Sequence, residues 1–382
     1  MSDANFYKVR DLAEPVEEYV PGDLGELEFL VTESAEGPRR LILGGGEHVR
    51  DGVVGSKEFE VVRTVECDRI LEIDRESNLV RVEAGVRWGD LRERLIEEGL
   101  TLQRYGLHPE SATVGGLLAR HLGYAPARGG GALRRGCVAL TAVSPTLGEY
   151  RYLRAPRKAS GPDLRHLYMG GEGLFGAILE ATVSVFKPFP SRVFGWPAET
   201  ASRAVAVRRK LAGRGVRPSW CHWSRTTGCF RAAIHAPTRL LDASIERLHA
   251  HFDEEIEVKG DDRARELRRE LEAAHPARRS AEKADQTVEL TYSLEGLGAA
   301  VDAIDEGAEI EIVDWSPHSA TAYLTFDQAA PSSLEQWSDA LHARPVVGGE
   351  TIEAPDWAQA LAEAFDARGR LAAPNLQSSS TP

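Results

Sequence analysis

The segment from Pro162 to Pro190 constrains the fold of this chain more than any other stretch. It contains the glycine pattern G-x-G-x-x-G at Gly171, Gly173 and Gly176, which is typical of a turn that binds a dinucleotide. In a parallel nucleotide-binding sheet, that turn follows a strand and opens a helix. Here apolar residues recur at helical spacing before the glycines and alternate with polar residues after them. The order helix, glycine turn, strand excludes such a crossover and disfavours a nicotinamide-dependent enzyme.

The composition is that of a globular protein, and the length favours two domains. The chain has 382 residues, of which 42% are hydrophobic and 27% charged, and its formal net charge is -13. A phosphate backbone is bound by clustered basic residues, so the acidic balance argues against nucleic acid as a partner. The four cysteines are scattered without a C-x-x-C pair, which disfavours iron–sulfur and zinc sites. Because no stretch has the apolar length of a signal peptide or membrane span, we expect a cytoplasmic chain without direct membrane insertion.

Two further glycine clusters precede the segment. The first, Gly44 to Gly46, follows the short apolar run Arg40 to Leu43, and its backbone can approach an anion without hindrance from a Cβ atom. A tight hairpin would explain the same three glycines equally well. The second, Gly115 and Gly116, comes directly before an apolar helix, whose free N-terminal amides would suit an anion. Each cluster alone is a weak signal for nucleotide binding.

Four motifs occur in a characteristic order along the first half of the chain. They are GGGEHV from Gly44, VRVEAGVRWGDLRERLIEEGL from Val80, SATVGGLLARHLG from Ser111, and PDLRHLYMGGEGLFGAILEATVSVFKP from Pro162. In order and spacing they resemble the FAD-binding domain of the vanillyl-alcohol oxidase / p-cresol methylhydroxylase (PCMH-type) flavoprotein family, over about residues 15 to 190. The resemblance implies an α+β fold in which a PCMH-type FAD-binding domain carries an α+β cap domain, and it implies FAD as the cofactor.

The same resemblance assigns residues to the FAD site. They are Gly44, Gly45, Gly46, Glu47, His48, Val49, Ala112, Thr113, Gly115, Gly116, Arg120, Gly123, Gly171, Glu172, Gly173, Gly176 and Ile178. Some relatives attach the flavin covalently through a histidine in the loop of His48, but a histidine near a cofactor is more often a hydrogen-bond partner. We therefore expect FAD to be held non-covalently. Glu47 replaces a small hydroxyl residue of the family, and a carboxylate beside a pyrophosphate is unfavourable unless it points away or binds ribose.

Beyond Pro190, strands and helices alternate, which predicts an α+β cap over the flavin. The size and order of these elements resemble most the FAD-binding subunit of bacterial glycolate oxidase. We predict an FAD-binding domain over residues 1–192, a substrate-binding cap over residues 193–350, and a C-terminal helix and tail over residues 351–382 that return to the first domain. Within the cap, Asp262 to Ala274 is predicted to be a charged and exposed helix.

The cap contains the candidate acid or base residues. A histidine is a natural proton acceptor for an alcohol whose hydride goes to flavin, since its pKa lies near neutral pH. His318 is the first candidate, because the related subunit has a histidine before a strand at this place, and His222 and His235 are the others. Each of them could instead be a histidine that only caps the end of a strand.

Substrate and metal binding are less clearly indicated. Arg157 and Lys158 can hold an anionic substrate, although exposed cations before a helix are commonly plain surface charge. Metal-dependent relatives that oxidise 2-hydroxy acids carry a His-rich H-x-G-D-G-N-x-H segment, which is missing from this sequence. We therefore predict no metal.

The favoured interpretation is an FAD-dependent oxidoreductase that takes a hydride from a small alcohol or 2-hydroxy acid, as part of a glycolate-oxidase-like complex. Electrons would then pass to a partner flavoprotein or another electron-acceptor subunit. The alternative is a non-catalytic subunit, or one that has lost FAD, which stabilises a larger complex. Glu47 and Glu289 motivate this alternative, because Glu289 stands where the related subunit has a basic residue.

Overall fold

The computed structural model describes most of the chain in several segments. They are residues 17–32, 39–45, 59–120, 133–153, 163–171, 173–252, 257–276, 287–304, 308–313, 315, 319–326 and 364–365. Within them, two units follow each other along the chain. The first has two sheets and the second has one, and each unit has its own buried core. The predicted α+β class with a cap domain is therefore confirmed.

The first unit begins with a small parallel sheet in the strand order β1-β3-β2. Its strands are β1 (Glu17–Tyr19), β2 (Arg39–Leu43) and β3 (Phe59–Arg63). Helix α1 (Leu24–Thr32) buries three apolar side chains in a core that includes Val62 of this sheet and Val143 of the next. One hydrophobic cluster thus joins the small sheet to its larger neighbour.

The larger sheet of the first unit is antiparallel, in the order β4-β5-β8-β6-β7. Its strands are β4 (Ile70–Asp74), β5 (Leu79–Glu83), β6 (Cys137–Ser144), β7 (Gly148–Tyr152) and β8 (Ala177–Ser184). The helices are α2 (Trp88–Glu97), α3 (Val114–Arg120), α4 (Leu133–Gly136) and α5 (Arg165–Tyr168). Strand β8 follows α5 and the glycine turn and pairs antiparallel with β5 and β6, which confirms that this segment is not a parallel crossover.

The glycine turn allows the backbone to enter β8 directly beside β6. Gly176 has a φ of +136°, and a Cβ atom on it would lie 2.0 Å from the carbonyl oxygen of Val143. A Cβ atom on Gly171 would lie 2.2 Å from the carbonyl oxygen of Leu167. Both contacts are far below van der Waals distance, so these positions exclude any larger residue unless the backbone moves.

Replacing Gly176 by alanine is expected to lower the free energy of unfolding by at least about 2 kcal/mol, because left-handed strain adds to a backbone clash. The matched control is Gly213→Ala at the end of a helix of the second unit, where an added Cβ atom meets nothing within 4 Å. We expect that control to unfold at the same urea concentration as the parent or slightly above it. Equal destabilisation in the two variants would contradict this account of the turn.

The second unit is a single antiparallel sheet in the order β12-β9-β11-β10-β14-β15-β13. The strands are β9 (Ser191–Pro197), β10 (Trp220–Ser224), β11 (Cys229–His235), β12 (Glu257–Lys259), β13 (Thr287–Ser293), β14 (Ala308–Val313) and β15 (Ser319–Phe326). The helices are α6 (Ala201–Gly213), α7 (Thr238–His251), α8 (Asp261–Ala273) and α9 (Leu294–Asp302). The order β12-β9-β11-β10 is that of a split β-α-β unit.

The two faces of this sheet have different neighbours. On one face, Trp223 and Phe230 pack with apolar residues of α6, α7 and α9 in the main core of the unit. Side chains alternate along a strand, so the residues beside Trp223 on β10 point to the other face. There Trp220 packs in a cluster with Leu107 of the first unit and Leu267 of α8. The second face of the cap sheet is therefore the one that meets the first unit.

The prediction that α8 is an exposed charged helix holds for one face of the helix and is wrong for the other. Arg268 is 6% exposed and Glu272 is fully buried, and Ala264 and Leu267 are buried on the same side. These positions recur at helical spacing and pack against the first unit, while the remaining charges face the solvent. The dense alternation of charges hid this buried stripe, because two of its members are themselves charged.

The predicted limits at residues 192 and 350 stay predictions, but two facts bear on them. Strand β8 ends at Ser184 in the sheet of the first unit, and β9 begins at Ser191 in the sheet of the second. Phe365 packs edge-on against Tyr168 and Phe175, which is a contact that a C-terminal segment returning to the first unit would make. Among the described helices, none has the length and apolar character needed to cross a membrane.

Candidate functional site

Three of the predicted glycine segments meet at one place in the first unit. A Cβ atom on Gly44, at the end of β2, would lie 2.2 Å from Thr113 Oγ1 and 3.4 Å from the Cα atom of Gly116. Gly173, with a φ of +82°, lies beside the carbonyl group of Ile42. We call the meeting of Gly44, Thr113, Gly116 and Gly173 the glycine junction. Since an added Cβ atom would overlap Thr113, the absence of a side chain at Gly44 is what lets β2 reach the start of α3.

The amides at the start of α3 are bonded within the protein, contrary to the expectation that they are free. Those of Val114 and Gly115 donate to the carbonyl oxygens of Val86 (2.9 Å) and Ala84 (2.8 Å), and that of Gly116 donates to Thr113 Oγ1 (3.1 Å). The backbone that follows β5 passes directly below α3 and occupies these donors. The glycine pair therefore serves close packing of α3 on that backbone, rather than presentation of helix amides to an anion.

The remaining predicted cofactor residues are partly described. Ala112 is buried in the segment that enters α3, Arg120 ends α3, and Ile178 is buried in β8. The following predicted residues lie outside the described segments: Gly46, Glu47, His48, Val49, Gly123, Arg157, Lys158, Glu172 and His318. Their assignments stay predictions. The described part therefore brings together the segments from β2, from α3 and from the turn before β8.

A second group of functional side chains lies between the two units. His222 comes from β10 on the cap face that meets the first unit, His108 comes from the segment before α3, and His275 follows α8. We call these three residues, together with Arg120, the interface histidine cluster. The three histidines are all buried, with exposures of 4%, 3% and 1% in that order. Burial lowers the pKa of His275 well below its usual value, and electrostatic interactions with the other three members lower it further.

His222 forms a defined pair with a carboxylate of the neighbouring strand. Its Nε2 atom lies 2.9 Å from Oε2 of Glu311, which belongs to β14. An ionised carboxylate only accepts hydrogen bonds, so the hydrogen bond assigns the ring proton to Nε2 and leaves a lone pair on Nδ1. Nδ1 is buried and has no hydrogen-bond partner among the described residues. This arrangement makes Nδ1 of His222 a proton acceptor that is oriented by Glu311.

His108 is neutral in the folded protein. Burial lowers its pKa to about 3, and its ring packs edge-on against Trp88 with 4.9 Å between the ring centroids. Neither ring nitrogen of His108 has a hydrogen-bond partner among the described residues. The neutral ring offers one donor and one acceptor inside the interface.

The buried histidines are expected to make the protein sensitive to mild acid. His108 takes up a proton below about pH 6.5 when the chain is unfolded, but only near pH 3 when it is folded. Its contribution to stability is therefore complete above the unfolded pKa and is lost as the pH falls from about 6.5 towards 3. In His108→Phe, the thermal midpoint should fall less between pH 7 and pH 5 than in the parent. His249→Phe, at an exposed position of α7, is the control, and an unchanged pH dependence in His108→Phe would contradict the expectation.

A buried network of charges joins α8 to the first unit beside the cluster. Arg268 donates to Glu272 Oε1 (2.9 Å) and to the carbonyl oxygens of Gln103 (3.2 Å), Tyr105 (3.3 Å) and Gly106 (2.8 Å). Arg92 of α2 bonds the other oxygen of Glu272. We call Arg92, Glu272 and Arg268 the α8 latch. Through Arg268 the latch bonds the carbonyl oxygen of Gly106, two residues before His108. Glu272 lies three residues before His275, so the latch fixes how these two histidines face each other.

Sequence reasoning found one member of the interface cluster as a catalytic candidate and missed the rest. His222 was a candidate base, but Glu311, His108 and His275 were not assigned, because only the fold brings β10, β14, the segment before α3 and the end of α8 together. The run that begins at His108 contains the glycine pair of α3, and this proximity was the available signal. His235, a further candidate, lies at the end of β11 outside the cluster, where burial lowers its pKa to about 3.

The described residues fit the FAD that the sequence resemblance implies. At the glycine junction, close packing brings backbone from three segments together, as a dinucleotide laid across them requires. In the segment before α3 and on β10, several buried polar atoms have no hydrogen-bond partner within the described part of the chain: Ser111 Oγ, both ring nitrogens of His108, and Nδ1 of His222. Buried polar atoms are normally satisfied, so these atoms indicate a bound polar group. Within the same residues, no group of three or more metal-ligating side chains is arranged to hold a metal ion.

Comparisons with known proteins agree on the cofactor. Residues 20–151 match the model of a family described as an FAD binding domain. The chain is 34% identical over 158 residues to an uncharacterised FAD-linked oxidoreductase of Escherichia coli, covering 40% of this chain and 32% of the relative. It is 32% identical over 184 residues to a D-lactate dehydrogenase of Archaeoglobus fulgidus, covering 44% and 39%. The matches thus span between about a third and two fifths of the length of these two relatives.

Two further comparisons concern a plant enzyme and the fold. A mitochondrial L-galactono-1,4-lactone dehydrogenase of Brassica oleracea is 30% identical over 167 residues, covering 43% of this chain and 26% of the relative. A solved structure of alkyldihydroxyacetonephosphate synthase superposes with a TM-score of 0.67 at 16% identity, covering 93% of this chain and 75% of that one. The structural match includes the cap as well as the first unit.

Proposed function

Since the chain carries an FAD-binding domain of the PCMH type, we propose that it is an FAD-dependent oxidoreductase acting on the CH–OH group of a small alcohol or 2-hydroxy acid. The observation that supports this most is the His222–Glu311 pair, whose acceptor nitrogen is buried between the cap sheet and the first unit. A buried and oriented acceptor nitrogen is the kind of group that alcohol oxidation needs to take up the hydroxyl proton. The relatives named as D-lactate and L-galactono-1,4-lactone dehydrogenases support the same reaction class.

The chemistry divides between cofactor and protein. Bound FAD supplies the acceptor for the hydride that leaves the substrate carbon. His222 takes the hydroxyl proton on Nδ1, and the carboxylate of Glu311 stabilises the imidazolium that results. The buried setting excludes water, so the attraction between these two charges is strong. His108 and His275 stay neutral and act as hydrogen-bonding groups that orient the substrate.

A 2-hydroxy acid is the substrate class that the charges favour. Arg120 belongs to the interface histidine cluster, and its positive charge offsets the negative charge of a substrate carboxylate. Arg157 and Lys158, which precede α5, are proposed to help in attracting the anion. Electrons then leave FAD for a partner flavoprotein or another electron acceptor, as in a glycolate-oxidase-like complex.

Steady-state reduction of an artificial electron acceptor tests this proposal. We expect turnover with at least one small 2-hydroxy acid, such as glycolate or either enantiomer of lactate, and slower turnover with the corresponding alcohol that lacks the carboxylate. If the FAD-loaded protein turns over none of these compounds, the proposed reaction is wrong and a non-catalytic role in a complex becomes the better account.

The flavin is expected to be bound without a covalent link. Precipitation of the purified protein with acid should then release all of the yellow colour into the supernatant. The check is the flavin absorbance of supernatant and washed pellet. Colour that stays in the pellet would instead indicate covalent attachment, for which His48 is the candidate residue.

A further inference from the structure

A groove on the other side of the α8 latch has no place in the proposed reaction. It lies between α2, the segment 99–103 and α8, and it encloses a cavity of about 280 Å³. None of the residues of the interface histidine cluster lines it. Its walls come from both units, since Arg92 and Gln103 belong to the first and His235 and Arg268 to the second. A molecule bound there would touch both units without entering the histidine cluster.

The charge of the lining is positive. Arg92, Arg265, Arg268 and Arg269 line the groove, and no carboxylate of the described residues does. The acids that pair with the two outer arginines are Asp261, Asp262 and Glu93, and they lie outside the lining. The groove therefore presents guanidinium groups, and the carboxylates that pair with them do not line it.

The two outer arginines retain hydrogen-bonding capacity. A guanidinium group has five N–H donors, and Arg265 and Arg269 each donate two to their carboxylate partners. Their side chains are 48% and 52% exposed, and ion pairs at such exposure are weak enough to rearrange around a ligand. His235 adds a buried Nδ1 atom that has no partner in the described part of the chain. Arg265, Arg269 and His235 can thus bind an anionic head group.

Apolar side chains line the rest of the groove. They are Leu100, Leu102, Pro188, Ala264 and Ile96, and the side chain of Ile96 is 44% exposed. We propose that the groove binds a small carboxylate with an apolar chain, with the head group on Arg265 and Arg269 and the chain against the leucines. The cavity volume lies near the lower end of the range for small-molecule sites, which fits a chain of about six to ten carbon atoms.

Occupation of the groove would couple to the interface between the units. Gln103 and Arg268 both line the groove, and Arg268 holds the backbone two residues before His108 through the carbonyl oxygen of Gly106. A ligand that contacts both units binds the docked arrangement better than any open one, so it stabilises that arrangement. Binding of an amphipathic acid in the groove is therefore expected to favour docking of the two units.

Titration calorimetry of the full FAD-loaded chain with octanoate tests the proposal. The parent should bind octanoate with a dissociation constant below about 10 mM, and octanamide, which lacks the charge, should bind at least about tenfold more weakly. Arg265→Gln combined with Arg269→Gln should weaken octanoate binding by at least about tenfold. The matched control is Arg263→Gln on the same helix, whose side chain is 41% exposed, pairs with Glu266 and Glu270 and does not line the groove.

The octanoate site is supported if the double variant loses binding while Arg263→Gln binds octanoate like the parent. The proposal is overturned if the parent does not bind octanoate, if the double variant binds like the parent, or if Arg263→Gln weakens binding as much as the double variant does. Equal binding of octanoate and octanamide would overturn the assignment of an anionic ligand.

Discussion

Replacing Glu272 by alanine is expected to lower the free energy of unfolding by about 3–5 kcal/mol, the largest stability effect of any single substitution considered for this chain. Glu272 is fully buried and bridges Arg92 and Arg268, whose side chains are 11% and 7% exposed. Its removal leaves the guanidinium group of Arg268 in a low-dielectric interface without a carboxylate partner among the described residues. Arg92 loses its buried partner and keeps only the more exposed Glu93 and Glu110. The thermal midpoint of the purified protein, measured by calorimetry at neutral pH, reports the effect.

Glu266→Ala provides the control for this prediction. Glu266 belongs to the same helix and also pairs with an arginine, but its side chain is 63% exposed and that of its partner Arg263 is 41% exposed. Exposed pairs contribute about 0–1 kcal/mol, so this variant should unfold close to the parent. Similar midpoints for the two variants would show that the α8 latch does not hold the units together.

Replacing His222 by alanine is expected to slow the reduction of bound flavin by substrate by about 10²–10⁴-fold, the range that a general base contributes. Glu311→Gln should slow the same step by at least about tenfold, because the amide does not stabilise the imidazolium that forms on His222. Both effects should appear in the rate of flavin bleaching at saturating substrate. Affinity for FAD should change little, since the pair lies on the cap sheet.

The control for His222 is His249→Ala, at an exposed position of α7 on the far side of the cap. It should leave flavin reduction unchanged. Rapid bleaching in His222→Ala at the parent's rate would remove His222 from the proposed mechanism. In that case His318→Ala is the next variant to measure, because His318 is the other histidine that the sequence favours as a base.

Much of the fold follows from local patterns in the sequence. The alternation after Gly176 occurs as a strand, as predicted. The hairpin from Ile70 to Glu83 and the amphipathic helix that starts at Trp88 have sequence patterns of the same local kind. Each of these patterns is set by neighbours in the chain, since a period of two or of 3.6 residues needs no knowledge of distant contacts. The importance of the glycine segments could also be predicted, because only glycine tolerates the conformation and the close approach found at Gly176.

The interface could not be predicted in the same way. Glu311 and His222 are 89 residues apart and meet because β10 pairs with β14, a long-range contact that leaves no periodic signal. In the sequence, the buried charges of α8 look like those of a solvent-exposed face. They can be buried because Arg268 donates hydrogen bonds to Glu272 and to the backbone of the first unit. The bonding of the amides at the start of α3 could not be predicted either. These donors were expected to be free, but they donate to carbonyl oxygens of the backbone after β5.

FAD bound to this chain is proposed to accept a hydride from a small 2-hydroxy acid or alcohol. Anaerobic mixing of the FAD-loaded protein with an excess of such a compound, followed by its visible spectrum, tests this reaction most directly. We predict loss of the oxidised flavin absorption, and its return when an electron acceptor is added. A protein that stays colourless after incubation with FAD, or an FAD-loaded protein that none of these compounds bleaches, would contradict it.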